Sequence, residues 1–332
     1  MLPSADCHND LLIGCLHQRE RGLQDPFGDF WLEQLHAGGV ILQVLPVYIE
    51  EQFVGEGALR RSLMLLEEAY RIQSAHPSEV AICTTGEDIE RAIESGRIAF
   101  VLALEGAEGV GRDLDVLSTY HRIGVRMIAM TWNRRTMMAD GIGERDTGGQ
   151  LTQLGVEALH EMERLGIVVD VSHLSEAGFW HVTEKAERPF VASHSSCRAL
   201  QDHPRNLTDA QLKAIADADG FVALNAFGPF LADQPTMDSL LDHAEHAIGI
   251  LGAHRVGLGM DFMQDLMTQV DPILGGALVD IDQIPFVDGL RRPADLAQVT
   301  SAMQTRFSPE TAAMLASGTL RHHLTRLLPT GA

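Results

Sequence analysis

Short apolar runs in this chain repeatedly end in a histidine or a carboxylate. His8 and Asp10 are two residues apart, a spacing that places both side chains on one face of an extended strand. Four further residues end four separate apolar runs, and they are Glu105, His173, His194 and Asp261. Imidazole nitrogens and carboxylates are the ligands of zinc and similar divalent metal ions. If the six side chains meet, they are enough for two ions that share the glutamate, with one residue left over as a general base.

Eight predicted strands must bring these residues together. They are Ser4–Asp10, Val40–Tyr48, Ile98–Glu105, Val125–Thr131, Ile167–Ser172, Phe190–His194, Phe221–Asn225 and Val256–Asp261. Several are almost continuous in valine, isoleucine, leucine and alanine, which is typical of parallel strands buried on both faces. Amphipathic helical segments alternate with them, such as Leu59–Ser74, the segment begun by the capping box Thr208-x-x-Gln211, and the segment begun by Ser308-Pro309. This alternation predicts an α/β fold, a (β/α)8 TIM-like barrel with the metal site at the C-terminal ends of its strands, and a doubly wound open sheet is the alternative.

The composition argues against several classes of partner. The chain has 25 lysines and arginines against 46 aspartates and glutamates, so its formal net charge is −21. This acidity disfavours nucleic acid and anionic membrane surfaces as partners, and we expect no signal peptide, membrane span or lipid anchor. We expect a single domain over residues 1–332, with C-terminal helices from about residue 293. The cysteines form no C-x-x-C pair and indicate reduced thiols in a cytoplasmic protein; they are Cys7, Cys15, Cys83 and Cys197.

Longer motifs surround the candidate ligands. They are Asp6-x-His8-Asn9-Asp10-Leu11, Glu105-Gly106, Gly166-x-x-x-Asp170-x-Ser172-His173, Ser193-His194-Ser195, His203-Pro204-Arg205-Asn206-Leu207-x-Asp209 and Gly259-x-Asp261-Phe262. With these motifs the sequence resembles the membrane (renal) dipeptidase family of zinc metallopeptidases, which has an amidohydrolase-like barrel. The resemblance extends from Asp6 to about Phe262, which is most of the chain.

The resemblance implies a role for each residue of the predicted site. The implied ligands of two zinc ions are His8 and Asp10 for one ion, His173 and His194 for the other, and Glu105 for both. Asp261 is expected to take a proton from the metal-bridging water and to pass it to the leaving amine. Arg205 is expected to bind a substrate carboxylate, which a guanidinium can grip through two parallel hydrogen bonds. The implied activity is hydrolysis of a dipeptide or similar small amide by a metal-bridging hydroxide, and the family also leads us to expect a homodimer.

One position departs from the family pattern. The family's well-known dipeptidases carry a substrate-contacting histidine where this chain has Trp132, in the run Met130-Thr131-Trp132-Asn133-Arg134-Arg135. An indole donates one hydrogen bond but carries no positive charge. We therefore expect that Trp132 contacts the substrate, and that Asn133, Arg134 or Arg135 replaces the lost donor or that the pocket takes a different amide. Hydrolysis of a non-peptide amide, lactam or ester, and a catalytically silent metal-containing homologue that binds a ligand, are the alternative functions.

Overall fold

The structure is a computed structural model of the chain and describes residues 2–265 and 284–330. Nine strands lie in these residues: β1 Ser4–Asp6, β2 Val40–Tyr48, β3 Val80–Ile82, β4 Ile98–Glu105, β5 Val125–Ala129, β6 Val168–Asp170, β7 Phe190–Val191, β8 Val222–Leu224 and β9 Val256–Leu258. All pairings between them are parallel. β2 and β4 have the predicted bounds, and the other six predicted strands are shorter than expected. β3 was not predicted. It pairs with β4 but is not part of the strand order β1-β2-β4-β5-β6-β7 of the main sheet.

Eight of the strands form a closed ring. The first sheet runs β1-β2-β4-β5-β6-β7, and β8 pairs with β9. An isolated parallel bridge between Ala192 and Val222 joins β7 to β8. The amide of Cys7 donates to the carbonyl of Leu258 at 2.8 Å and joins β9 back to β1. The predicted barrel is therefore confirmed, and the open-sheet alternative is wrong because the first and last strands meet.

Helices alternate with the strands. Their bounds are Leu11–Glu20, Leu32–Ala37, Ala58–Ala75, Gly86–Glu94, Asp115–Arg122, Gln153–Leu165, Glu176–Lys185, Asp209–Asp217, Met237–Leu251, Met263–Asp265, Leu296–Arg306, Pro309–Ala313 and Thr319–Leu327. The two predicted helix N-caps are present. The side chain of Thr208 accepts a hydrogen bond from the amide of Gln211, and that of Ser308 accepts one from the amide of Thr311. No helix within the described ranges is long and apolar enough to cross a membrane. That residues 1–332 form one domain stays a prediction.

The alternation of side chains along β4 explains how the barrel positions its site. Phe100, Leu102 and Leu104 pack in the large apolar cluster that includes the surrounding helices. Ala99, Val101 and Ala103 belong to a second buried cluster, which also contains residues of β1, β2, β5, β6, β7 and β8 and of the helix Thr319–Leu327. Because successive side chains of a strand point to opposite faces, Glu105 continues the inner face at the last position of the strand. Its carboxylate therefore lies at the C-terminal mouth of the barrel.

Candidate metal centre

All six predicted strand-end residues come together at this mouth. On one side, His8 Nε2 lies 3.5 Å from Asp10 Oδ2 and 3.6 Å from Glu105 Oε2. Asp261 Oδ1 lies 4.0 Å from the same imidazole nitrogen. Both His8 and Asp10 follow the end of β1, so the short first strand delivers a nitrogen and a carboxylate to one point.

The other oxygen of Glu105 faces the remaining two histidines. Glu105 Oε1 lies 2.8 Å from His173 Nε2 and 3.4 Å from His194 Nε2. The two imidazole nitrogens are 2.8 Å apart. The glutamate thus separates two donor groups, and each of its oxygens faces one of them. This is the arrangement in which one carboxylate can serve two metal ions.

The donor set fits divalent cations. Asp10 Oδ1 and His8 Nε2 are buried and have no hydrogen-bond partner among the residues that the structure describes, a state that buried polar atoms rarely adopt unless something else binds them. Burial lowers the pKa of His8, but Glu105, Asp10 and Asp261 raise it to about 10, which shows how strongly this side of the site attracts positive charge. Burial holds the pKa of His173 and of His194 well below the ordinary value. Both are therefore neutral imidazoles, the form that binds a metal.

Hydrogen bonds behind the histidines orient them. His173 Nδ1 lies 2.8 Å from the side-chain oxygen of Asn133. His194 Nδ1 lies 2.7 Å from the hydroxyl of Ser193, and that hydroxyl in turn donates to the carboxylate of Asp170. With Nδ1 held in this way, each ring presents Nε2 to the centre, as the outer partners of metal-binding histidines do.

Asp261 has a different environment from the other carboxylates. Its backbone is in the left-handed region, with φ of 54°, which is uncommon for a residue other than glycine. The side-chain nitrogen of Asn225 donates to Asp261 Oδ2 at 2.8 Å, and the amide of Phe227 holds Asn225 by donating to its side-chain oxygen at 2.6 Å. Burial raises the pKa of Asp261. A carboxyl that is fixed in position and has a raised pKa is suited to exchange a proton near neutral pH.

Arg205 is buried beside the histidines. Its guanidinium donates to the carbonyl oxygens of Ser172 and His194, the latter at 3.2 Å. It also lies 5.6 Å from the ring centroid of Phe230. Burial lowers the pKa of Arg205 to about 10, so the side chain still carries its charge at neutral pH. Arg205 therefore braces the loops after β6 and β7 and places a cation at the edge of the centre.

A cavity of about 440 Å³ opens over these groups. Its floor includes Asp10, Glu105, His173 and Asp261, and its walls include Tyr48, Trp132, Asn133, Arg145, His203, Arg205, Phe227 and Phe230. A cleft of this size, with apolar walls and a few convergent polar groups, is typical of small-molecule sites. Six of the eight residues predicted for the site line this cavity, and the other two, His8 and His194, lie 3.6 Å and 3.4 Å from the carboxylate oxygens of Glu105 beneath it.

The cavity wall around Trp132 shows which neighbours can donate to a ligand. Arg134 lies 4.9 Å from the Trp132 ring, and ion pairs to Glu51 and Glu108 hold its guanidinium. Arg135 pairs with Asp140. Among the three candidate replacements for the family histidine, both arginines are thus engaged.

Asn133 differs from these arginines. It lines the cavity, and its oxygen is used by His173. Its nitrogen Nδ2 makes no hydrogen bond to any residue in the described ranges. Asn133 is therefore the candidate that keeps a free donor.

Sequence reasoning missed two kinds of residue at this site. Asn225 follows the apolar run of β8, so the same strand-end signal that singled out the six predicted residues could have identified it. Tyr48 ends β2, so the same signal applies to it, whereas Arg145 lines the cavity from the segment between β5 and β6, where no spacing in the sequence distinguishes it.

Comparison with known proteins agrees with this geometry. Residues 1–271 match the family model of membrane dipeptidase, peptidase family M19. A solved metallopeptidase from Rhodobacter sphaeroides, liganded with a phosphinate mimic of the dipeptide L-Ala-D-Ala, is 25% identical and has a TM-score of 0.85 over 98% of this chain and 99% of its own.

Curated relatives match over shorter regions. An uncharacterized protein in the pqqA 5' region of Klebsiella pneumoniae is 37% identical over 195 residues, which is 54% of this chain and 71% of the relative. Dipeptidase verJ from Clonostachys rogersoniana is 29% identical over 233 residues, which is 69% of this chain and 58% of the relative. The chain thus spans less than two thirds of verJ. Together with the barrel and its strand-end ligands, the match over residues 1–271 shows that this chain belongs to the membrane dipeptidase family, peptidase family M19.

Proposed function

We propose that the protein is a binuclear zinc hydrolase that cleaves a dipeptide or similar small amide with a free carboxylate. The observation that carries this proposal is the position of Glu105, whose two oxygens face two separate groups of nitrogen and carboxylate donors. Support also comes from the family match, from the name of verJ as a dipeptidase, and from the dipeptide mimic bound to the Rhodobacter relative.

The residues have separate tasks in this proposal. His8 and Asp10 would hold one ion, His173 and His194 the other, and Glu105 both. Two zinc ions bound there would polarise the scissile carbonyl and lower the pKa of the attacking water.

Asp261 handles the proton. Its carboxylate accepts the proton of the attacking water and then delivers it to the nitrogen of the leaving amine. The bond between this nitrogen and the carbonyl carbon breaks, and a bond between the nitrogen and hydrogen takes its place. Asn225 keeps the carboxylate oriented through both transfers, because it donates to Oδ2 and leaves Oδ1 directed towards the centre. One carboxyl can act as base and then as acid because its raised pKa brings its two protonation states closer in energy.

The cavity wall binds the rest of the substrate. Arg205, with Arg145 on the same cavity, attracts the substrate carboxylate. Asn133 Nδ2 donates to the carbonyl oxygen as negative charge develops on it, in place of the family histidine. Trp132 forms an apolar wall against the substrate side chain. Because the cavity is small, it admits a dipeptide and excludes a folded chain.

The decisive test is Asp261→Asn. We expect that this variant keeps both metals by elemental analysis and loses about 100- to 10,000-fold in turnover of dipeptides, since it removes a general acid–base group. Asp217→Asn, an exposed aspartate paired with Lys213 on a surface helix, is the matched control and should keep full activity. Wild-type turnover by Asp261→Asn would overturn the role of Asp261.

Trp132 favours a second candidate, the hydrolysis of a non-peptide amide, lactam or ester. A panel of L-L and L-D dipeptides, N-acyl amino acids, lactams and esters separates the two candidates. Strong turnover of ordinary dipeptides removes the second, and no turnover of any compound with two metals bound indicates a catalytically silent binding protein.

We also propose that the protein works in the cytoplasm. Its four cysteines are all buried and none is in a disulfide, which suits a reducing compartment. Labelling of free thiols in protein taken directly from cells tests this, and any oxidised pair would contradict it.

A further inference from the structure

The charged residues of the cavity are divided between its floor and its wall. Among the described residues that line the cavity, the acidic ones all belong to the floor, and they are Asp10, Glu105 and Asp261. The wall carries basic residues instead, namely Arg145, His203 and Arg205. A substrate side chain that reaches this wall therefore meets nitrogen donors and no carboxylate of a described residue.

The protein itself uses most of the donors of Arg205. Its guanidinium donates to the carbonyl oxygens of Ser172 and His194 and lies 3.1 Å from His173 Nε2. It has capacity left for one substrate carboxylate, and in the proposed function this is the terminal carboxylate of the dipeptide. A second acidic group on the substrate needs other partners.

His203 offers one ring nitrogen to the cavity. Its Nδ1 accepts from the amide of Arg205 at 3.1 Å, and its ring lies 4.5 Å from the ring centroid of Phe230. Burial, together with Arg205 and Arg145, lowers the pKa of His203 to about 4, so at neutral pH the ring holds one proton, on Nε2. This Nε2–H makes no hydrogen bond to any residue that the structure describes. It is therefore a neutral donor available to a ligand.

Arg145 provides a second donor beside His203. It lies in the short helical segment Ile142–Thr147, and the amide of Ile142 donates to the carbonyl of His173 at 2.9 Å, which fixes this segment next to the candidate metal centre. Within the described ranges, the one ion pair of Arg145 is with Asp146 at 3.9 Å, and Asp146 is 91% exposed. Because such an exposed contact contributes little, the guanidinium is available to bind a ligand.

We propose that Arg145 and His203 bind a second carboxylate of the substrate, so that the protein prefers dipeptides whose C-terminal residue is aspartate or glutamate. This inference rests on the proposed function. The second carboxylate is assigned to the C-terminal residue because His203 contacts the backbone of Arg205, which holds the terminal carboxylate of the same residue. A guanidinium and an imidazole N–H both form charge-assisted hydrogen bonds with a carboxylate. Trp132 remains as the apolar wall for the other side chain.

The overall charge of the chain would produce the opposite preference. With a formal net charge of −21, the protein repels an acidic peptide at long range. A preference for aspartate must therefore come from groups at the site. A basic C-terminal side chain would place its charge beside Arg145 without a described carboxylate on the wall to pair with it. The wall thus selects by repulsion as well as by attraction.

Two isosteric substrates test this inference on the metal-loaded protein. They are Ala-Asp and Ala-Asn, each with both configurations of the second residue. Because both carry the same terminal carboxylate, the ratio of their kcat/KM values reports on the second carboxylate alone. We expect the wild type to prefer Ala-Asp by about tenfold or more, mainly through KM. Arg145→Gln should remove this preference, Arg145→Lys should keep most of it, and Arg145→Glu should reverse it.

Two further variants test the partner of Arg145 and the effect of net charge. His203→Phe keeps a ring against Phe230 but removes the N–H, so the preference for Ala-Asp should fall. A displaced Arg205 would instead lower the turnover of both substrates equally. Arg164→Gln is the matched control, because it makes the same change in net charge on an exposed helix residue outside the cavity. It should leave the ratio unchanged. Circular dichroism confirms that the variants fold.

Calorimetry separates this inference from the proposed function, because binding needs no turnover. The probes are phosphinate mimics of Ala-Asp and Ala-Asn, the class of compound bound to the Rhodobacter relative. If no dipeptide is cleaved but the aspartate mimic binds the wild type about tenfold more tightly than the asparagine mimic, and Arg145→Gln removes the difference, the proposed function fails and the second carboxylate site stands. Equal binding of both mimics, no binding of either, or a preference that survives in Arg145→Gln would overturn the site.

Discussion

The hydroxyl of Ser193 offers a quantitative test of how the barrel holds its histidines. It accepts from His194 Nδ1 at 2.7 Å and donates to Asp170. The three side chains are 1–5% exposed, so water has no access if the hydroxyl is removed. In Ser193→Ala the buried Nδ1–H of His194 loses its acceptor. An unpaired buried donor of this kind carries a desolvation penalty of about 1–3 kcal/mol. Outer partners of metal-binding histidines contribute about 10- to 100-fold in metal affinity. For Ser193→Ala we expect the upper end of this range, a loss of about 100-fold in the affinity for one ion.

Asn133→Ala provides the internal comparison. It removes the equivalent partner of His173, but Asn133 lines the cavity, where water can take its place. We therefore expect a loss of only about tenfold in metal affinity, at the lower end of the same range. The ranking of the two variants thus follows from burial alone, since the two hydrogen bonds have nearly equal lengths.

The assay is competition with a chelator, followed by elemental analysis of the metal that remains bound. Ser4→Ala is the matched control, because Ser4 is equally buried and hydrogen-bonded but lies at the other end of β1, where its hydroxyl donates to Gly38. Its metal affinity should equal that of the wild type. Equal affinities for Ser193→Ala and Ser4→Ala, or a greater loss in Asn133→Ala, would refute the argument from burial.

Three further predictions concern turnover and stability. Asn133→Asp keeps an acceptor for His173 but lacks the N–H donor, so we expect metal retention with a fall in kcat of about 100-fold, measured by steady-state kinetics beside elemental analysis. Asn225→Ala removes the hydrogen bond that lowers the pKa of Asp261, so the acidic limb of the kcat/KM profile should move to higher pH; an unmoved limb would contradict this. Burial lowers the pKa of His323 from 6.5 to about 4, so the unfolded chain binds an extra proton between these values. Urea titrations should show the free energy of unfolding falling by about 2 kcal/mol from pH 7 to pH 5, and His323→Gln should flatten this fall.

The barrel was predictable because its strands are buried on both faces. β2 and β4 kept their predicted bounds, since their apolar runs coincide with the hydrogen-bonded ladder. The predicted Ser4–Asp10 extends past β1 because the chain leaves the sheet after Asp6, just before His8 and Asp10, and sequence alone does not show that point. β3 escaped prediction because it has three residues, pairs only with β4, and has two partly exposed residues, Ala81 and Ile82.

That the six strand-end side chains meet at one mouth was predictable from their residue types and positions, but their outer hydrogen-bond partners were not. Asn133 and His173 are 40 residues apart, and Asn225 and Asp261 are 36 apart. Such pairs depend on how neighbouring loops cross above the sheet, which no local pattern encodes. The same reason explains Arg134, whose ion pairs join it to loops after two other strands.

The closure of the barrel has a consequence for the order in which the molecule matures. The carboxylate of Asp6 accepts from the amide of Met260, 254 residues later, and the amide of Cys7 reaches Leu258. His8 and Asp10 therefore meet Asp261 only after the last strand has been made and docked. A nascent chain that lacks β9 has no complete centre, because it lacks the carboxylate of Asp261. The five proposed metal ligands all precede β9 in the chain, so two metal ions bound as proposed would join β1 to β4, β6 and β7, and docking of β9 would then add the group that exchanges the proton.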